Sequence, residues 1–162
     1  MKDCSFCKMF NERKYIQYED SLFWGMFDFN PVSPGHILII PKKHVIDLDS
    51  LSKDGWDRLQ RSIRDIIHLI ETTDLKQIYQ SIIDLHVSDN SVWFATQALN
   101  NPNINKKPDA YNHGINDGKA AGRTVDHLHW HIIPRFEGDM DDPRGGVRYV
   151  IPKMGNYKLP KP

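Results

Sequence analysis

Three histidines alternate without interruption in His127-Leu128-His129-Trp130-His131, and Ile132-Ile133 follow them. Histidine makes up 8 of the 162 residues, so by a crude template count such a triplet arises by chance roughly 0.02 times in a chain of this length. On an extended strand, alternate side chains leave the same face. That predicts three imidazoles in line, about 6.5–7 Å apart, with Leu128, Trp130 and Ile132 turned to a core. Such a row serves as a metal site or as a nucleophile with supporting donors. Successive side chains of one extended strand converge poorly on the ~2.1 Å that a single ion requires. A neutral imidazole attacking phosphorus, with neighbours that donate hydrogen bonds to the phosphate oxygens, suits the spacing better.

Around this row the chain alternates short apolar runs with turn signals. Ser21 to Asn30 reads as a strand, broken by Pro31 and Pro34-Gly35, and the β-branched run His36 to Ile40 reads as its antiparallel neighbour, ending at Pro41. Between Leu51 and Ile70, Trp56, Leu59, Ile63, Ile66, Ile67 and Ile70 recur at three- and four-residue steps. This is an amphipathic helix, with Ser52 or Ser50 as its N-cap. From Leu75 to Pro108 the pattern weakens to a second helix over Lys76 to Leu85, an apolar Val92-Trp93-Phe94-Ala95 run and an exposed loop over Asn100 to Pro108. Ala110 to Asn116 and Thr124 to Pro134 read as two more strands. The proline- and glycine-rich tail beyond about residue 135 is expected to wrap irregularly over the domain.

The length fits one domain, residues 1–162, with room for a core that needs no disulfides. No apolar run approaches the ~20 residues of a membrane span, and the first residues lack the apolar stretch of a signal peptide, so a cytoplasmic location is expected. Lys and Arg number 21, as do Asp and Glu. That balance removes the electrostatic footprint of a duplex nucleic-acid binder but leaves small anionic ligands open. The only cysteines, Cys4 and Cys7, read as half a metal site or a redox pair.

The histidine row, the preceding Gly122-Arg123-Thr124-Val125, the earlier Pro31-Val32-Ser33-Pro34-Gly35-His36 leading to Ile40-Pro41-Lys42-Lys43-His44, and Cys4-Ser5-Phe6-Cys7 together resemble the histidine-triad (HIT) superfamily, and bacterial diadenosine polyphosphate hydrolase-like members in particular. The likeness is strong over residues 1–70 and 109–135 and weak over 75–108, a poorly matched insert expected to form a lid or partner surface. The resemblance implies an α+β fold, an antiparallel sheet of about five strands packed with a long helix, commonly paired into a homodimer. It implies His129 as the nucleophile, with His131 and Thr124 on the α-phosphate. Asp28 would meet the ribose, with Met26 and Phe29 near the base, and Asn116 would lie near the scissile phosphate.

Arg123 stands where many relatives carry Gln, and either grips phosphate or points outward. Cys4, Cys7, His44 and His127 would complete a Cys₂His₂ structural zinc site. Arg144 and Arg148, flanking Gly145-Gly146, offer a grip on a polyphosphate chain. The implied activity is cleavage at the α-phosphate of dinucleoside polyphosphates such as diadenosine tetraphosphate through a nucleotidyl-histidine. A purine nucleoside phosphoramidase and a zinc-stabilised nucleotide-binding module without turnover are the alternatives.

Overall fold

The computed structural model describes residues 4–156. Helix α1 (Ser5–Asn11) precedes strands β1 (Tyr18–Glu19), β2 (Phe23–Phe27) and β3 (Ile37–Pro41). Helices α2 (Lys53–Thr72), α3 (Leu75–Leu85) and α4 (Asp89–Leu99) follow, then strands β4 (Ala110–Gly114) and β5 (Trp130–Arg135), and a short α5 (Pro152–Gly155). The five strands form one antiparallel sheet in the order β1-β2-β3-β5-β4. The fold is thus α+β with a long helix, as expected.

Register decides which residues share a face. Leu38 lies opposite both Met26 and His131, while Ile39 lies opposite Gly25 and Trp130. Opposed residues in antiparallel strands project to the same side. One face therefore carries Phe23, Phe27, Ile37, Ile39 and Ile132, and packs against Leu59, Ile66 and Ile70 of α2 and Tyr79 of α3. The other carries Trp24, Met26, Leu38 and Ile40, covered by Phe6 of α1. Both central strands are buried along their whole length for this reason. Each fully buried aliphatic side chain contributes about 1.5–3 kcal/mol of transfer free energy.

Helix α2 starts where Ser52 accepts a hydrogen bond from the Gly55 amide (3.1 Å) and runs two residues beyond Ile70. The apolar run at Val92 belongs to α4, whose N-terminus is a reciprocal Ser88–Ser91 capping box. With α3 it makes a helical hairpin whose Tyr79, Ile82, Ala95 and Ala98 enter the main core. The following loop is less exposed than expected, since Asn103 and Ile104 are buried. The Tyr79 hydroxyl accepts a hydrogen bond from the Gly35 amide at 2.6 Å. Gly35 has φ +88°, and a Cβ there would come within 2.9 Å of Ile70 Cγ2, so glycine is required at the turn that delivers His36 to the sheet.

Two strands are shorter than the alternation suggests. β4 ends at Gly114, and β5 begins only at Trp130. Residues 124–129 form a turn in which the His127 amide donates to Val125 O (2.8 Å) and the Leu128 amide to Val45 O (2.7 Å). The tail contains a 3-10 turn, Gly146–Val150, ahead of α5.

Candidate functional site

The three histidines do not stand in one row. His127 and His129 precede β5 and only His131 is a strand residue; the His129 and His131 ring centroids are 5.1 Å apart. His127 turns to a different set of partners. Trp130 and Ile132 face the helix-covered core, as alternation requires, and Leu128 is buried.

Hydrogen bonds fix each ring's tautomer. His129 Nδ1 lies 2.8 Å from the His127 carbonyl oxygen, which only accepts, so Nδ1 carries the proton and the lone pair is on Nε2. His36, buried at the start of β3, has its Nδ1 3.4 Å from the Val32 amide and its Nε2 3.0 Å from His131 Nδ1. The amide only donates, so His36 Nε2 bears the proton and gives it to His131 Nδ1. His131 is thereby left with its proton on Nε2, a buried atom with no hydrogen-bond partner among the described residues. Burial, with the neighbouring His36 and His129 rings, pushes the His131 pKa down to about 4, and burial lowers that of His36. The result is a lone pair at His129 Nε2 and an N–H donor at His131, side by side.

Cys4, Cys7, His44 and His127 form a second cluster, whose ligand atoms all lie within 4.8 Å of one another. Cys4 Sγ is 3.4 Å and Cys7 Sγ 3.5 Å from His127 Nδ1, and Cys7 Sγ is 3.3 Å from His44 Nδ1. Bonds of ~2.3 Å to sulfur and ~2.0 Å to nitrogen give a tetrahedron whose edges are about 3.3–3.8 Å, so the donor set and its spacing fit a closed four-coordinate ion. His127 Nε2 donates to Pro41 O at 2.9 Å, which turns the Nδ1 lone pair to the cluster. Burial pushes the His127 pKa to about 4, keeping the ring in the form that binds metal. Phe6, between the two cysteines on α1, packs edge-on against both His127 and His129.

The remaining expected residues are placed unevenly. Asp28 sits beside His36, with Oδ2 3.6 Å from its Nδ1. Met26 is buried in the cluster under Leu38, and Phe29 packs edge-on against Tyr15 at 5.0 Å. Asn116 lines the same cavity as His131, while Thr124 is exposed on the turn before β5. The Arg123 guanidinium, mostly buried, donates to Ile46 O (3.0 Å) and lies near Asp117 and Asp126. Arg144 forms a two-point pair with Asp142, and Arg148 donates to the carbonyls of Met154 and Gly155. Both arginines thus bond within the tail. His36 was missed as a site residue; its signal was a lone polar residue opening an aliphatic strand.

A HIT domain family model matches residues 10–138. An uncharacterised HIT-like protein of Borreliella burgdorferi is 31% identical over 145 residues, 86% of this chain and 80% of that protein. The bis(5'-adenosyl)-triphosphatase of Dictyostelium discoideum is 28% identical over 127 residues, 78% of this chain and 64% of that protein. Among solved structures, a zinc-bound histidine triad family protein of Mycobacterium smegmatis superposes with a TM-score of 0.53 at 27% identity, covering 92% of this chain and 91% of that one. The family model spans most of the chain, and the chain belongs to the HIT family.

Proposed function

We propose that the protein cleaves dinucleoside polyphosphates, diadenosine tetraphosphate among them, at the α-phosphate through a nucleotidyl-histidine on His129. The observation that carries this reading is the pairing of an Nε2 lone pair on His129 with an N–H on His131 that has no hydrogen-bond partner among the described residues. In the first step His129 Nε2 forms a bond to the α-phosphorus and the bridging P–O bond breaks, its electron pair leaving with the nucleoside polyphosphate. In the second, water attacks phosphorus, the P–N bond breaks and a nucleoside monophosphate departs. The His131 Nε2–H donates to a non-bridging oxygen, where charge develops in both transition states. Asn116 and Thr124 are assigned to the same phosphate, and Asp28, Met26 and Phe29 to the nucleoside. The Dictyostelium relative named above is a triphosphatase of this substrate class, and a bis(5'-nucleosyl)-tetraphosphatase of Schizosaccharomyces pombe is 30% identical over 78% of this chain and 52% of its own length.

The second cluster is assigned to zinc. The ion would be held by Cys4, Cys7, His44 and His127, all four positions taken by protein, and so braces the fold without touching substrate. The homodimer belongs to the same reading. β4 is an edge strand, paired with β5 on one side only among the described residues, and such an edge is a template for a second chain. Sedimentation velocity is expected to show a dimer; a monomer at micromolar concentration would remove this part of the reading.

The deciding experiment is intact mass spectrometry after brief exposure to diadenosine tetraphosphate or an adenosine phosphoramidate. Wild type is expected to gain one adenylyl group and to form product, and His129→Gly to do neither. Faster labelling by the phosphoramidate would move the assignment to a phosphoramidase. Neither adduct nor product with either donor would leave a nucleotide-binding module.

A further inference from the structure

A cavity of about 680 Å³ is lined by His131 and by no residue of α1 or of the metal-binding cluster. Its floor is His36 and His131, and Asn112 and Asn116 come from β4 and the loop after it. The outer wall is the C-terminal 3-10 turn, through Val147, Tyr149 and Val150. A smaller cavity of about 360 Å³ shares Val32, Asn112 and Ile133 with it and continues toward Asn103 and Arg135. Neither His129 nor any of the residues assigned to the nucleoside, Asp28, Met26 and Phe29, lines either space.

Attack at phosphorus is in line, so the leaving oxygen lies opposite the attacking atom. The larger cavity is lined by His131 and Asn116, both assigned to the phosphate, and not by His129, and a space that adjoins the phosphate without reaching the attacking ring suits the departing group. Its volume lies in the range of small-molecule sites. Apart from histidine, no charged side chain lines the larger cavity among the described residues. Its aliphatic and tyrosyl surfaces, with two amides at the edge, match a flat heteroaromatic ring better than they match a terminal phosphate or ammonia.

The wall is built from within the tail. Asp142 holds Arg144 and Asn156, and Arg148 bonds to the carbonyls of Met154 and Gly155. Gly145 turns at φ +101°, where a Cβ would meet the Gly155 carbonyl. We infer that this cavity is the subsite for the departing nucleoside of a dinucleoside polyphosphate. The C-terminal turn is then its specificity-determining wall, and Arg144 and Arg148 are positioning residues for that wall. The inference rests on the nucleotidyl-transfer reading above and adds to it the place and chemistry of the leaving group.

The test is equilibrium binding by calorimetry in a His129→Gly background, where ligands survive the titration. Diadenosine tetraphosphate is compared with adenosine 5'-tetraphosphate, which lacks only the second nucleoside. Seating one aromatic base against apolar walls is expected to favour the dinucleotide by about tenfold. Val147 and Val150 are 64% and 80% exposed, so Val147→Asp with Val150→Asp leaves the fold intact, as circular dichroism will check. The double substitution is expected to erase most of that preference and to leave adenosine 5'-tetraphosphate binding within about twofold. Equal affinities in the parent, a preference that survives the substitutions, or a loss shared by both ligands would each overturn the subsite. Failure of the catalytic reading is seen separately, as wild type that yields neither adduct nor product while this difference in binding persists.

Discussion

Asp20 follows β1 and receives hydrogen bonds from the Leu22 and Phe23 amides, the Tyr18 and Ser62 hydroxyls and the Arg58 guanidinium. Burial alone would raise its pKa, but these donors outweigh burial and hold it well below the carboxylate range. It ties the β1–β2 turn to α2, and Asp20→Ala, which orphans several buried donors, is expected to cost about 2–4 kcal/mol in urea unfolding. His131 makes an opposite case. Its pKa near 4 in the fold lies below the ~6.5 of an unfolded histidine. Between those values the unfolded chain binds a proton that the folded one does not. Its contribution is therefore complete above pH 6.5 and is lost as pH falls toward 4. The melting temperature is expected to fall between pH 7.5 and pH 5, and His131→Asn to shrink that drop by about 2–5 °C. An unchanged drop would mean that other groups dominate.

At the scale of elements, legibility followed how each segment buries itself. α2 shows a full apolar stripe, so its periodicity and its Ser52 cap were readable. α4 hides its buried face in small residues, Ser91, Ala95 and Ala98, and leaves Trp93 57% exposed; side-chain size pointed the wrong way. Ser88→Ala, which removes its cap, is expected to cost about 1 kcal/mol, measurable by thermal melting. β5 was read too long because alternation is a property of spacing, whereas His127 and His129 are held by a carbonyl and a turn that no spacing reveals. Arg144 and Arg148 are legible as charged forks beside paired glycines, but not their partners, Asp142 for Arg144 and carbonyls of the tail for Arg148. His36 was hidden at the head of the aliphatic β3, because its partner, His131, lies 95 residues on.

At the scale of the molecule, the sheet is closed by helices on both sides, and α1 is the thinner cover. It is held by Phe6 and by the cluster that Cys4 and Cys7 share with His44 and His127. Atomic emission is expected to find one zinc per chain. A chelator or Cys4→Ser should lower the melting temperature by several degrees, since a structural ion's binding free energy is folding free energy. Nucleotidyl transfer should then slow rather than vanish, because α1 packs on His129 through Phe6 but supplies none of the groups assigned to the reaction. No zinc and no effect of Cys4→Ser would show that packing alone holds α1.

His127 uses its two ends for unrelated purposes: the ring points to the cysteines, while the backbone carbonyl holds the proton of His129. Every amino acid has that carbonyl. A different side chain at position 127 would therefore leave the partner of His129 Nδ1, the ring proposed as nucleophile, in place so long as the turn survived.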